Sequence, residues 1–114
     1  MRRIALTATA VVLLATPAAA QSYTGNWGCR DDTANRAGIL TIYGDVYGFA
    51  SATFGDTASG TGTLTPYEDG VGFTDGPLKA VRGIEAGRII PDPDAGVALQ
   101  LETADAIVML CLAH

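Results

Sequence analysis

Cys29 and Cys111 are the only cysteines in the chain, and they stand near opposite ends of everything that follows its apolar leader. If they bond to each other, the first and last extended segments must meet, because a disulfide holds its Cα atoms within about 7 Å. That constraint favours a sheet closed on itself. The bond is expected because the N-terminus directs the chain to an oxidising compartment. Arg2 and Arg3 are followed by an uncharged, largely apolar run and then by Thr16-Pro17-Ala18-Ala19-Ala20, the basic, hydrophobic and A-x-A parts of a cleavable secretory signal. The reading is therefore a signal peptide over 1–20 and a single all-β domain over 21–114. The apolar run falls short of the roughly 18 residues a membrane span needs, and Gln21, not cysteine, would lead the mature chain. No membrane insertion is expected after cleavage, and the destination is periplasmic or secreted.

Within 21–114, apolar and β-branched residues come in short bursts separated by Gly, Asp and Pro, the pattern of many short strands. Nine stretches read as extended: 23–30, 38–43, 46–53, 62–66, 71–74, 78–82, 84–90, 96–102 and 106–112. Gly44-Asp45 and Asp69-Gly70 read as tight hairpin turns, and Pro91-Asp92-Pro93-Asp94-Ala95-Gly96 as a longer one. The last stretch is apolar at both parities, as a strand covered on both faces requires. Trp27 and Cys29, two apart, share a face. Tight turns and joined ends together predict a small antiparallel meander, a closed barrel of about eight strands. The alternative is a two-sheet β-sandwich.

An internal repeat supports the meander. Leu40-Thr41-Ile42-Tyr43-Gly44-Asp45-Val46-Tyr47-Gly48-Phe49 aligns with Leu64-Thr65-Pro66-Tyr67-Glu68-Asp69-Gly70-Val71-Gly72-Phe73, both as L-T-x-Y-x-D-x-x-G-F. Hairpin chemistry selects such residues, so two similar hairpins are the simpler reading than a repeated binding unit.

Charge and residue inventory narrow the function. The chain carries a formal −5, and cleavage would remove Arg2 and Arg3 but no acid, deepening it to −7. Nucleic acid is an unsuitable partner for such a surface, whereas a basic protein suits it. No cofactor motif is present. The one histidine, His114, is the last residue and ill placed for a catalytic triad. The aspartates fall mainly at turns, where their side chains commonly cap the chain's own amides. Asp92 and Asp94 resemble the start of a calcium loop but lack the glutamate twelve places on, which leaves them weak metal candidates. The chain reads as no enzyme.

The candidate contact residues are Tyr43 and Tyr47, flanking the Gly44-Asp45 turn, since tyrosine buries much area at low entropic cost. The polar loop over 55–62, with Ser59 and Gly60, is the second candidate. In size, export and cysteines in the first and last strands, the chain resembles the periplasmic inhibitors of C-type lysozyme, which are small eight-stranded barrels. Members of that family present an S-G-x-x-Y loop to the enzyme. Ser59-Gly60-Thr61-Gly62 begins in the same way, with Thr63 in the tyrosine's place. The expectation is an exported, non-enzymatic binding or inhibitor-like module, the alternative being a structural or envelope-associated β-domain without a discrete ligand.

Overall fold

The computed structural model describes residues 23–114; the expected signal peptide lies outside the described residues. Eight strands follow one another round a closed antiparallel barrel: β1 (Gly25–Asp31), β2 (Arg36–Tyr43), β3 (Val46–Ser51), β4 (Gly60–Tyr67), β5 (Gly70–Phe73), β6 (Ala86–Asp92), β7 (Gly96–Glu102) and β8 (Ile107–Ala113). β1 pairs with β2 on one side and β8 on the other, with Cys29 directly opposite Cys111. The two cysteines are disulfide-bonded, their Cα atoms 3.9 Å apart. Closure thus decides for the barrel over the sandwich, and it leaves no exposed sheet edge. A disulfide also fits an oxidising, extracytoplasmic compartment.

The two copies of the repeat are the β2–β3 and β4–β5 hairpins, and they pair identically. Leu40 opposes Phe49 as Leu64 opposes Phe73, Thr41 opposes Gly48 as Thr65 opposes Gly72, and Tyr43 opposes Val46 as Tyr67 opposes Gly70. Because side chains alternate between faces, this register sends both leucines and both phenylalanines into the core, where all four are buried. Both tyrosines go outward. The second turn is Glu68-Asp69, with Gly70 already paired to Tyr67, one residue earlier than the expected Asp69-Gly70.

One expected strand is a helix. Residues 78–82 belong to α1 (Pro77–Arg82), which starts with proline in its first turn and ends at Gly83 with φ 69°. Proline suits the first helical turn because its missing N–H would have no partner there, and glycine enters the left-handed stop freely. Leu78 on α1 and Ile84 just beyond it are fully buried. They close the barrel end where β5 leaves and β6 begins.

Tyr23 closes the other end. Its hydroxyl is shared between the carbonyls of Tyr67 (2.8 Å) and Glu68 (2.9 Å), on the hairpin across the barrel from β1. Trp27 Nε1 in turn donates to the Tyr23 carbonyl at 3.0 Å. Burial raises the pKa of the Tyr23 phenol. With both mouths stoppered and the lumen filled by Trp27, Leu40, Ile42, Phe49, Leu99 and Leu101, the interior is a packed core of the kind an eight-stranded barrel just fills. The surfaces available to a partner are the two ends and the outer face.

Candidate functional site

An antiparallel meander places alternate connections at opposite ends. The β2–β3, β4–β5 and β6–β7 turns therefore share one end, and the loops over 32–35, 52–59 and 103–106 share the other with α1. The two regions picked out from the sequence, the Tyr43 hairpin and the Ser59–Gly60 loop, lie at opposite ends and cannot form one site.

Tyr43 and Tyr47 are also separated, by the register of their own hairpin. Tyr43 opposes Val46 and is 75 % exposed; Tyr47 opposes Ile42 and is 2 % exposed. Tyr47 is thus a core residue, not a surface one. Its ring stands edge-on to Phe73, with centroids 5.1 Å apart. Its hydroxyl donates to the Asp75 carbonyl (3.0 Å) and accepts the Leu78 amide (3.2 Å). Glycine makes this seat possible: a Cβ at Gly62 would lie 2.7 Å from the Tyr47 ring and one at Gly76 2.5 Å from its oxygen. Burial raises the Tyr47 pKa. The residue fastens α1 to the barrel.

The tyrosine that sequence reasoning missed is Tyr67, which holds the place of Tyr43 in the second hairpin and is 58 % exposed. It leans across its hairpin, so that a Cβ at Gly72 would lie 3.0 Å from its ring. The repeat could have revealed it, since every outward position of one hairpin predicts the other. Around these two rings the end is acidic. Asp45, Glu68, Asp69 and Asp94 occupy its three turns and Asp92 ends β6 beside them, and no lysine or arginine lies in those turns. Asp92 works within its own turn, accepting the amides of Asp94 (3.1 Å) and Ala95 (2.8 Å) through one carboxylate oxygen. Among the described residues, no group of three or more His, Cys, Asp or Glu side chains is placed to hold a metal ion.

At the opposite end, the loop carrying Ser59 is stitched down. Ser59 Oγ accepts the Ser51 amide at 2.9 Å. Asp56 accepts from the Ser51 hydroxyl (2.7 Å), the Ala58 amide (3.0 Å) and the Arg82 guanidinium on α1. The Ala58 amide, the Ser51 hydroxyl and Arg82 together hold the Asp56 carboxyl below its usual range. Ala58 is fully buried, while Phe54 at the loop's tip is fully exposed, beside Gly55 with φ 78°. Gly60 starts β4, where a Cβ would crowd Pro77 at 3.1 Å.

No protein-family model, curated protein or solved structure matches this chain. The acidic end thus presents two outward phenol rings and the carboxylates of its turns, with Arg88 of β6 close enough to Asp69 to feel its charge.

Proposed function

We propose that the protein is an exported, non-enzymatic binding or inhibitor-like module that engages a basic protein partner through the barrel end bearing Tyr43 and Tyr67. The observation that carries this reading is the pairing of two outward tyrosines with acidic turns on one face of a rigid, disulfide-closed barrel. Interfaces concentrate energy in aromatic anchors, and a one-signed rim steers an oppositely charged partner to them. A preformed, hairpin-borne surface also loses little conformational entropy on binding.

The core explains the repeat's leucines and phenylalanines, but packing does not require tyrosine at 43, where the side chain is largely in solvent. The leader sequence and the disulfide support export to the periplasm or medium, which would bring the module to basic proteins outside the cytoplasm. The experiment is capture from envelope and culture-medium extracts by the oxidised domain, beside a Tyr43→Ala, Tyr67→Ala variant. A basic protein retained by the parent and lost by the variant is the expected result. Equal capture by both, with loss on Phe54→Ala, would place the surface at the other end. No specific capture by a folded parent would leave the structural, envelope-associated reading in its place.

A further inference from the structure

Five basic residues lie in the described chain, and three are ion-paired: Lys79 with Glu85, Arg82 with Asp56, and Arg88 with Glu102. Arg30 and Arg36 make no ion pair among the described residues. They are cross-strand partners on β1 and β2, next to the register shift between Cys29 and Arg30. Like charges set directly opposite destabilise a sheet, and this chain has carboxylates to spare, yet among the described residues none is ion-paired with these two guanidinium groups. The nearest acid in sequence, Asp31, spends one carboxylate oxygen on its own turn, accepting the amides of Thr33 and Asn35 at 2.9 Å each. Arg30 is held in place by donating from Nη1 to the Ala34 carbonyl at 3.1 Å.

Beside the pair runs a groove of about 220 Å³ on the outer face of β8, β1 and β2. Ile39 and Leu112 line its apolar part, Gly28 forms its floor, and the His114 side chain reaches over that floor, 3.4 Å from where a Gly28 Cβ would stand. A glycine within a strand often marks the place where another group approaches the backbone closely, and bulges re-aim side chains beside sites. Planar guanidinium forks recognise oxyanions bidentately.

We infer that this groove binds a small organic oxyanion, with its carboxylate or phosphate head on Arg30 and Arg36 and its apolar body on Ile39 and Leu112 above Gly28. The site is separate from the acidic end and independent of it. The head is the determinant, so a neutral analogue of the same body does not bind.

The test is an amide-resolved NMR titration of the oxidised protein with phenyl phosphate, benzoate and benzyl alcohol. Saturable shifts at Gly28, Gly38 and His114 with either anion, and none with the alcohol, are expected; the tighter anion identifies the head. Arg30→Gln, Arg36→Gln should weaken binding about tenfold or more, as loss of charge-assisted hydrogen bonds does. Gly28→Val should block the groove with both arginines intact, while Lys79→Gln should leave affinity within about twofold. The absence of saturable shifts would overturn the inference. So would equal weakening by Lys79→Gln, which would reduce the effect to net charge, or undiminished binding in both groove variants.

Discussion

Tyr43 and Tyr67 stand at the same step of two hairpins whose strands pair residue for residue. Their equivalents in the core are fixed by packing, but Tyr43 is 75 % exposed. Substituting it with alanine should therefore change stability by no more than about 0.5 kcal/mol, as for surface sites generally, while abolishing partner capture. Urea midpoints compared with capture yields would check this separation. A large loss of stability would make Tyr43 structural.

Tyr47 should behave in the opposite way. Tyr47→Phe keeps the ring against Phe73 but leaves the Leu78 amide without its acceptor, at a cost of about 1–3 kcal/mol. Tyr47→Ala removes the ring as well and should cost about 3–5 kcal/mol. Chemical denaturation of both variants gives the two numbers. Partner capture by the folded Tyr47→Phe protein should match the parent.

The Cys29–Cys111 bond joins the first strand to the last, so its loss frees nearly the whole domain's chain in the unfolded state. Cys29→Ala, Cys111→Ala should cost about 2–5 kcal/mol, comparable to the lower range of small-domain stability. Thermal melts with and without reductant would show it as a large fall in midpoint in the parent and none in the double variant.

Asp56 gives the fold an acid-sensitive clasp. Its folded pKa lies below the ordinary carboxylate value because the ionised form accepts the Ala58 amide, the Ser51 hydroxyl and Arg82. The resulting stability is present in full above the unfolded-state pKa, about 3.9, and is lost as pH falls through the folded value. Asp56→Asn should thus destabilise the protein at neutral pH, with the difference from the parent vanishing in strong acid. Urea midpoints from about pH 7 down to pH 2 test this; a constant difference across that range would contradict it.

Much of the fold was legible because barrel strands carry local signals. Glycine and aspartate marked the turns, alternation marked the strands, and Cys29 with Cys111 implied that the ends meet. Helix α1 was not legible as such: Leu78, Val81 and Ile84 are apolar residues that suit a strand. The spacing of three between Leu78 and Val81, framed by Pro77 and Gly83, was the helical signal that lost out. The candidate site was half legible. Tyr43 and Tyr47 look like a flanking pair, yet a two-residue turn pairs 43 with 46 and 42 with 47, which drives them to opposite faces. Carrying that register through would have retained Tyr43, sent Tyr47 inside with its repeat equivalent Val71, and added Tyr67. The Arg30–Arg36 groove had no such signal, since it depends on which strands lie side by side and on a local register shift.

The most direct test of the account is photo-crosslinking from the two barrel ends. A benzoylphenylalanine placed at position 43 or at position 59 would be activated in the presence of envelope and medium extracts. A basic protein crosslinked from position 43, suppressed by high salt, is expected, with nothing comparable from position 59. Crosslinking from 59 alone, or from neither position in a folded protein, would contradict it.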